Sequence, residues 1–221
     1  MGELDGKVAI VTGAGRLRGI GRAAAVALAR LGADVVVTGT GRSPDSFPED
    51  EKSIGWRDIH SVADQVREIG TRALPMVVDV TDRQAVQTMV DKTLEELGRV
   101  DILINNAAFA RGVDRVPISD LDEDIFQKVM DIKVTGTFLC TKASIKPMID
   151  QGEGGKIVNI SSTAGKRGSA NTLAYNGANF AIVGMTQSMA RELGPHSICL
   201  LYTSDAADEG LGVDLGGRRI I

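Results

Sequence analysis

Ser162 and Tyr175 stand thirteen residues apart, in the segment Ser162-TAGKRGSANTLA-Tyr175-NGA-Asn179. Far upstream lies a glycine-rich turn, TGAGRLRGIG, running from Thr12 to Gly21. A hydroxyl that can orient an oxygen, a phenol that can exchange a proton and a turn that can cradle phosphate suit hydride transfer to or from a carbonyl or alcohol. A phenol titrates near pH ~10 unaided, so its anion must be stabilised if it is to act as a base near neutrality. Asn179, one helical turn beyond Tyr175, is neutral and cannot supply that stabilisation.

These groups need a scaffold, and the apolar patterning describes one. Strands are predicted at Lys7–Thr12, Asp34–Thr38, Ala73–Val78, Val100–Ile104 and Lys156–Ile160. Helices are predicted at Ile20–Leu31, Arg57–Ile69, from a Thr81 or Asp82 cap to Leu97, at Ile125–Ile149 and at Tyr175–Leu193. Gly39–Gly55 has the Gly, Pro, Ser and Asp density of a long loop. Strands alternating with helices predict an α/β chain, a doubly wound parallel sheet in a single domain with helices on both faces.

Composition narrows the function further. Hydrophobic content of 43% and charge of 24% are those of an ordinary globular chain, and 221 residues suffice for one sizeable core. A net charge of −4 offers no attraction to nucleic acid or anionic membrane, so neither is expected as a partner. The N-terminus lacks a signal segment and no apolar run is long enough to span a bilayer, which predicts a cytoplasmic location. Cys140, Cys199, His60 and His196 are scattered without ligand spacing, so no metal is expected.

On these motifs the chain resembles the short-chain dehydrogenase/reductase family over residues 4 to 198. That family opens with Thr-Gly-x-x-x-Gly-x-Gly, matched by Thr12, Gly13, Gly19 and Gly21, with Ile20 between the last two glycines. Five residues separate Gly13 from Gly19, two more than is usual in the family, and the extra pair is expected to bulge within Gly15-Arg16-Leu17-Arg18. Such a bulge would add flexibility and positive charge near the cofactor. The family's Asn-Asn-Ala-Gly becomes Asn105-Asn106-Ala107-Ala108, and its adenine-contacting aspartate becomes Asp79, followed by Val80. The resemblance implies a Rossmann-like fold and a nicotinamide cofactor lined by Thr12, the turn glycines, Asp79, Val80, Asn105 and Ala107.

Family spacing puts the ribose-recognising acid of NAD-binding members at Gly39, so no carboxylate is expected there. With Arg42 just beyond and Arg18 in the turn, NADP is favoured, and NAD or dual use stays open. The resemblance assigns Ser162 to orienting the substrate oxygen and Tyr175 to proton transfer, on a small alcohol or ketone. It also implies a homotetramer built on two long helices.

The family's lysine, four residues after the tyrosine, is Asn179 here, while its asparagine in the preceding long helix is Lys133. The two residue types have changed places. Bringing a phenol from pKa ~10 to ~7 needs about 4 kcal/mol. One cation about 4 Å away supplies roughly that at an effective dielectric of ~20, whereas a neutral hydrogen bond contributes on the order of 1 kcal/mol. Compensation is therefore expected, with Lys133 reaching in from the neighbouring helix and Asn179 taking the ribose or a water. A damaged relay and an exposed Lys133 are the alternatives.

After Ile198 the resemblance stops. Residues 199–221 resemble the translation of a transposon-type sequencing adapter, so the domain is expected to cover residues 1–198 and to lack its C-terminal strands. The edge of the fifth strand would then be unpaired. Two further readings follow, a cofactor-binding pseudoenzyme and a non-functional truncated fragment. Substrate determinants are expected in Ala108–Asp120 and in the substrate-covering loop that relatives carry beyond the Ile198 position, and the loop bearing Trp56 is expected either to cover the adenine end or to join an oligomer contact.

Overall fold

A computed structural model of the chain describes residues 2–110 and 112–203. Six strands, β1 (Val8–Val11), β2 (Asp34–Gly39), β3 (Ala73–Val77), β4 (Ile102–Asn105), β5 (Gly155–Ile160) and β6 (Ile198–Thr203), form one sheet in the order β3-β2-β1-β4-β5-β6. Every pairing is parallel. Residue alternation builds two cores. Val8, Ile10, Val36, Leu103 and Ile157 face α4 (Arg83–Leu97) and α6 (Gly136–Gln151), while Ala9, Val11, Val35, Val37 and Ile104 face α1 (Ile20–Arg30) and α3 (Ile59–Ile69). The doubly wound parallel sheet expected from the sequence is what forms.

Strand order reverses at β1, which pairs with β2 on one side and β4 on the other. A crevice opens beyond the carboxyl ends of strands at such a point, and both the glycine turn after β1 and Asn105–Ala108 after β4 lie there. Local chemistry sets the helix ends. The Asp82 carboxylate accepts from the amides of Gln84 and Ala85 at 2.7 and 3.2 Å to start α4, and Gly98, at φ +86°, ends it.

Three elements differ from expectation. The long loop after β2 contains a 3₁₀ turn at Pro44–Ser46 and a short helix, α2 (Glu49–Ser53), because Phe47 and Trp56 are apolar enough to anchor it in the core. The helix predicted over Ile125–Ile149 is α5 (Glu123–Met130) and α6 joined by a π-helical turn at Asp131–Thr135.

The third difference is at the sheet edge. The edge of β5 is not open: β6 pairs with it from Gly155↔Ile198 to Ile160↔Thr203. Ile198 and Leu200 point into the core while Cys199 and Leu201 point outward, so this short alternating segment fits the strand slot. The boundary expected after Ile198 thus falls inside a strand, and the sheet does not stop at five. Residues 204–221, the rest of the adapter-like segment, lie outside the described residues.

Candidate active site

The turn from Thr12 to Gly21 is shaped by contacts that exclude side chains. Gly13 adopts φ +65°, and a Cβ there would lie 2.7 Å from the Ala107 Cα. At Gly21 a Cβ would lie 2.5 Å from Asn106 Nδ2. Thr12 is buried, and its hydroxyl accepts from the amides of Asn106 and Ala107 at 3.0 and 3.1 Å, tying the ends of β1 and β4 together. Gly19 precedes α1, whose first turn has no side-chain cap and no acidic residue. Its amides are left for an anion, and Ile20 opens the helix at the rim of the crevice.

The bulge in this turn is held rather than loose. Trp56 Nε1 donates to the Gly15 carbonyl at 2.7 Å, and the Leu17 amide donates to Glu51 at 2.9 Å. Trp56 therefore packs on the glycine turn. Arg18 points outward to Asp50 at 2.9 Å, an exposed pair of little energetic weight. Arg42 does not stand free either. Its guanidinium meets Glu51 at 2.9 Å and Asp58 at 3.0 Å and lies over the Phe47 ring at 4.7 Å. Burial acts to lower its pKa, but bonding to Glu51 and Asp58 raises it above the ordinary range. Gly39 itself carries no carboxylate, but folding brings in Asp58 from the start of α3. A Cβ on Gly39 would lie 3.8 Å from its carboxylate.

Other expected cofactor residues are placed unequally. Asn105 turns into the sheet, where its amide donates to Thr141 at 3.0 Å and to Asn159 at 2.9 Å. Asn106 faces the crevice instead, its amide bonding the Thr12 and Gly13 carbonyls at 2.9 Å. Asp79 is exposed after β3 and accepts from Thr81, while Val80 is buried against Gly136.

Lys133, Tyr175 and Asn179 converge. They line one cavity of about 160 Å³ together with Ile20, Asn106, Phe109 and Arg115. Lys133 sits in the π-helical turn, a local widening often found at functional sites. It is only 6% exposed and donates to the Ile160 carbonyl at the end of β5. Burial without a carboxylate partner pushes its pKa down to about 8. Asn179 is buried on α7 (Leu173–Leu193), donating to the Tyr175 carbonyl at 2.8 Å and accepting from the Ser161 hydroxyl at 3.4 Å. Lys133 is thus no exposed helix-face lysine.

Ser162 is not among the residues lining this cavity, where its neighbour Ser161 is; it is buried, its hydroxyl capping the 3₁₀ turn Thr163–Gly165 by accepting from Ala164 at 3.2 Å. Asn176 donates to the carbonyls of Ala164 and Arg167 at 3.0 and 2.8 Å, fixing the segment between Ser162 and Tyr175. Sequence reasoning missed Arg115, whose guanidinium lies 3.9 Å from the Tyr175 ring centroid. Its Nε is 3.2 Å from Asp114, in ion-pair range but off the hydrogen-bond direction. Only its position within Ala108–Asp120 could have drawn attention to it.

A family model for short chain dehydrogenases matches residues 7–202. The chain belongs to the short-chain dehydrogenase family. It is an oxidoreductase on that ground. It is 42% identical over 213 residues to the short chain dehydrogenase/reductase astE of Aspergillus oryzae, covering 96% of this chain and 74% of that protein. It is 33% identical to (-)-trans-carveol dehydrogenase of Rhodococcus erythropolis, covering 90% and 69% of the two chains. Among solved structures, an NAD-bound short chain dehydrogenase from Mycobacterium paratuberculosis superposes with TM-score 0.81 at 35% identity, covering 92% and 73%. An NAD+-bound xylitol dehydrogenase gives 0.79 at 34%, covering 91% and 70%.

This dehydrogenase has a turn that fits a dinucleotide. The uncapped amides of α1 suit a pyrophosphate, and at Gly13 and Gly21 a side chain would clash with the segment after β4. No helix among the described residues is long and apolar enough to cross a membrane.

Proposed function

We propose that this short-chain dehydrogenase interconverts a small secondary alcohol and its ketone, with Tyr175 as proton donor and acceptor. The observation that carries the reading is the convergence of Tyr175, Lys133 and Asn179 on one cavity, beside Ile20 at the start of α1. When bound, the nicotinamide exchanges the hydride. The chain's own residues then have separable tasks. Ser162 orients the substrate oxygen, Tyr175 takes the hydroxyl proton in the oxidative direction and returns it in the reductive one, and Asn179 holds Ser161 and the Tyr175 backbone in place. Lys133 supplies positive charge beneath the site, and Arg115 supplies it over the tyrosine ring.

Mass action on cofactor and substrate gives the test. Cofactor binding, followed by NADH fluorescence, is set beside turnover on a panel of secondary alcohols and ketones. Turnover that Tyr175→Phe abolishes supports the enzyme reading, and tight binding without turnover on any substrate favours the pseudoenzyme. We place the protein in the cytoplasm and propose that it forms a homotetramer built on its two long helices, α6 with its π-helical lead-in and α7. Size-exclusion chromatography with light scattering checks the oligomer.

A further inference from the structure

The lengthened glycine turn and the long loop after β2 hold each other. Three contacts join them across a large sequence separation: Trp56 Nε1 to the Gly15 carbonyl, the Leu17 amide to Glu51, and Arg42 to the Gly15 carbonyl at 3.4 Å. Arg22 adds to the joint, bonding the Leu17 carbonyl at 3.0 Å and lying 5.7 Å from the Trp56 ring centroid. Inside it sit two carboxylates, Glu51 and Asp58, each about as buried as the core, against one guanidinium.

Asp58 is the unusual member. It adopts φ +53° and ψ −129°, a conformation that costs a non-glycine residue free energy and persists only where surroundings impose it. Here they do. Its carboxylate accepts from the Arg42 amide at 3.3 Å and from the Arg42 guanidinium. A Cβ on Gly15 would stand 1.8 Å from its Oδ1, so the carboxylate lies directly against the glycine turn. Gly15 and Gly39 flank the end of β2, where a Rossmann fold receives the adenosine ribose.

Resting on the dinucleotide reading above, we infer that the Glu51–Arg42–Asp58 cluster makes this enzyme select NAD over NADP, by withholding Arg42 and by placing excess negative charge beside the ribose 2′ position. A 2′-phosphate would meet two carboxylates and a guanidinium already satisfied by both. The turn's other cations do not offset this: Arg16 and Arg18 are exposed, and Arg18 is paired with Asp50. Asp58 acts from beneath the subsite through charge, reaching by tertiary contact the place that the family fills from the end of β2 itself.

Dissociation constants for NADH and NADPH, measured by fluorescence on the full chain at fixed ionic strength, test this without relying on turnover. The wild-type chain is expected to bind NADH at least ~10-fold more tightly than NADPH, about 1.4 kcal/mol. Glu51→Gln and Asp58→Asn, made singly and together, keep the acceptor oxygens while removing charge, and each is expected to raise relative NADPH affinity. The double variant is expected to move the ratio ~10-fold or more. Because the wild-type ratio needs no variant, a misfolded mutant leaves the inference exposed to test. Equal or tighter NADPH binding by the wild type, or an unmoved ratio in folded variants, overturns the selectivity inference alone. Failure of the folded chain to bind either nucleotide overturns the dinucleotide reading and this inference with it.

Discussion

The guanidinium of Arg115 lies 3.9 Å from the centre of the Tyr175 ring, closing one side of the cavity that Lys133 closes from another. Two cations from separate elements therefore line the cavity that Tyr175 lines, in a chain whose residue one turn after that tyrosine is a neutral asparagine. Arg115→Leu is expected to lower turnover about 10-fold, the loss of a partly desolvated cation–π contact, while leaving the NADH dissociation constant unchanged. Arg115→Lys is expected to recover part of the loss. Steady-state kinetics beside cofactor titration checks both; a parallel fall in cofactor affinity would show that Arg115 merely supports the fold.

Tyr175→Phe removes the proposed acid/base group and is expected to cost about 10²–10⁴ in turnover with cofactor binding intact. Ser162→Ala is expected to cost less in thermal stability than in turnover, since its cap stabilises only a short 3₁₀ turn. Single-turnover hydride transfer followed at 340 nm separates these effects from product release.

Lys133 couples the site to stability. Its folded pKa of about 8 lies below the ordinary value of 10.5, because burial penalises the cation. Between those values the unfolded chain holds a proton that the folded chain has released, so stability rises as pH increases from about 8 to 10.5. Below pH 8 the buried charge costs up to about 3 kcal/mol, and the bond to the Ile160 carbonyl offsets about 1 kcal/mol. Lys133→Met is expected to raise the melting temperature at pH 7, to flatten the pH dependence of stability, and to lower turnover at least ~10-fold. Thermal melts from pH 7 to 10.5 read the first two. A melting temperature equal to wild type throughout would contradict the assigned burial cost.

The exchange of residue types can be reversed experimentally. Lys133→Asn alone removes a cation, and Asn179→Lys alone puts a second one into the same small cavity. Each single variant is expected to lose activity. The double variant K133N/N179K is expected to exceed the product of the singles by a coupling of about 1–3 kcal/mol, read from a double-mutant cycle in kcat/KM. Additive losses would mean that the two positions do not share a role.

Lengthening the side chain at Gly15 tests the joint between turn and loop. Gly15→Ala places a Cβ 1.8 Å from the Asp58 carboxylate, so Asp58 and Arg42 must move. The expected result is a loss of about 1–3 kcal/mol in stability together with weakened cofactor binding, measured by melting and fluorescence.

Much of this protein was legible along the chain. The alternation of apolar runs set the sheet and its two covered faces, since period-2 and period-3.6 patterns are local properties. The glycine turn and the Ser162–Tyr175 spacing were legible for the same reason, as short motifs between a strand and a helix. Lys133 could be picked out through its distance to Gly136, although its depth could not. Folding decided where charges ended up. Asp58 and Glu51 reached Arg42, Arg115 reached Tyr175, and Asn105 gave its side chain to Thr141 and Asn159, because such pairings depend on which surfaces the sheet brings together. The same holds at the edge, where Ile198–Thr203 became β6 because an alternating apolar segment fitted the open ladder of β5. Pattern along the chain determined the scaffold and the spacing of the proposed reacting pair; only contact across it decided which cations line the Tyr175 cavity and which carboxylates hold Arg42.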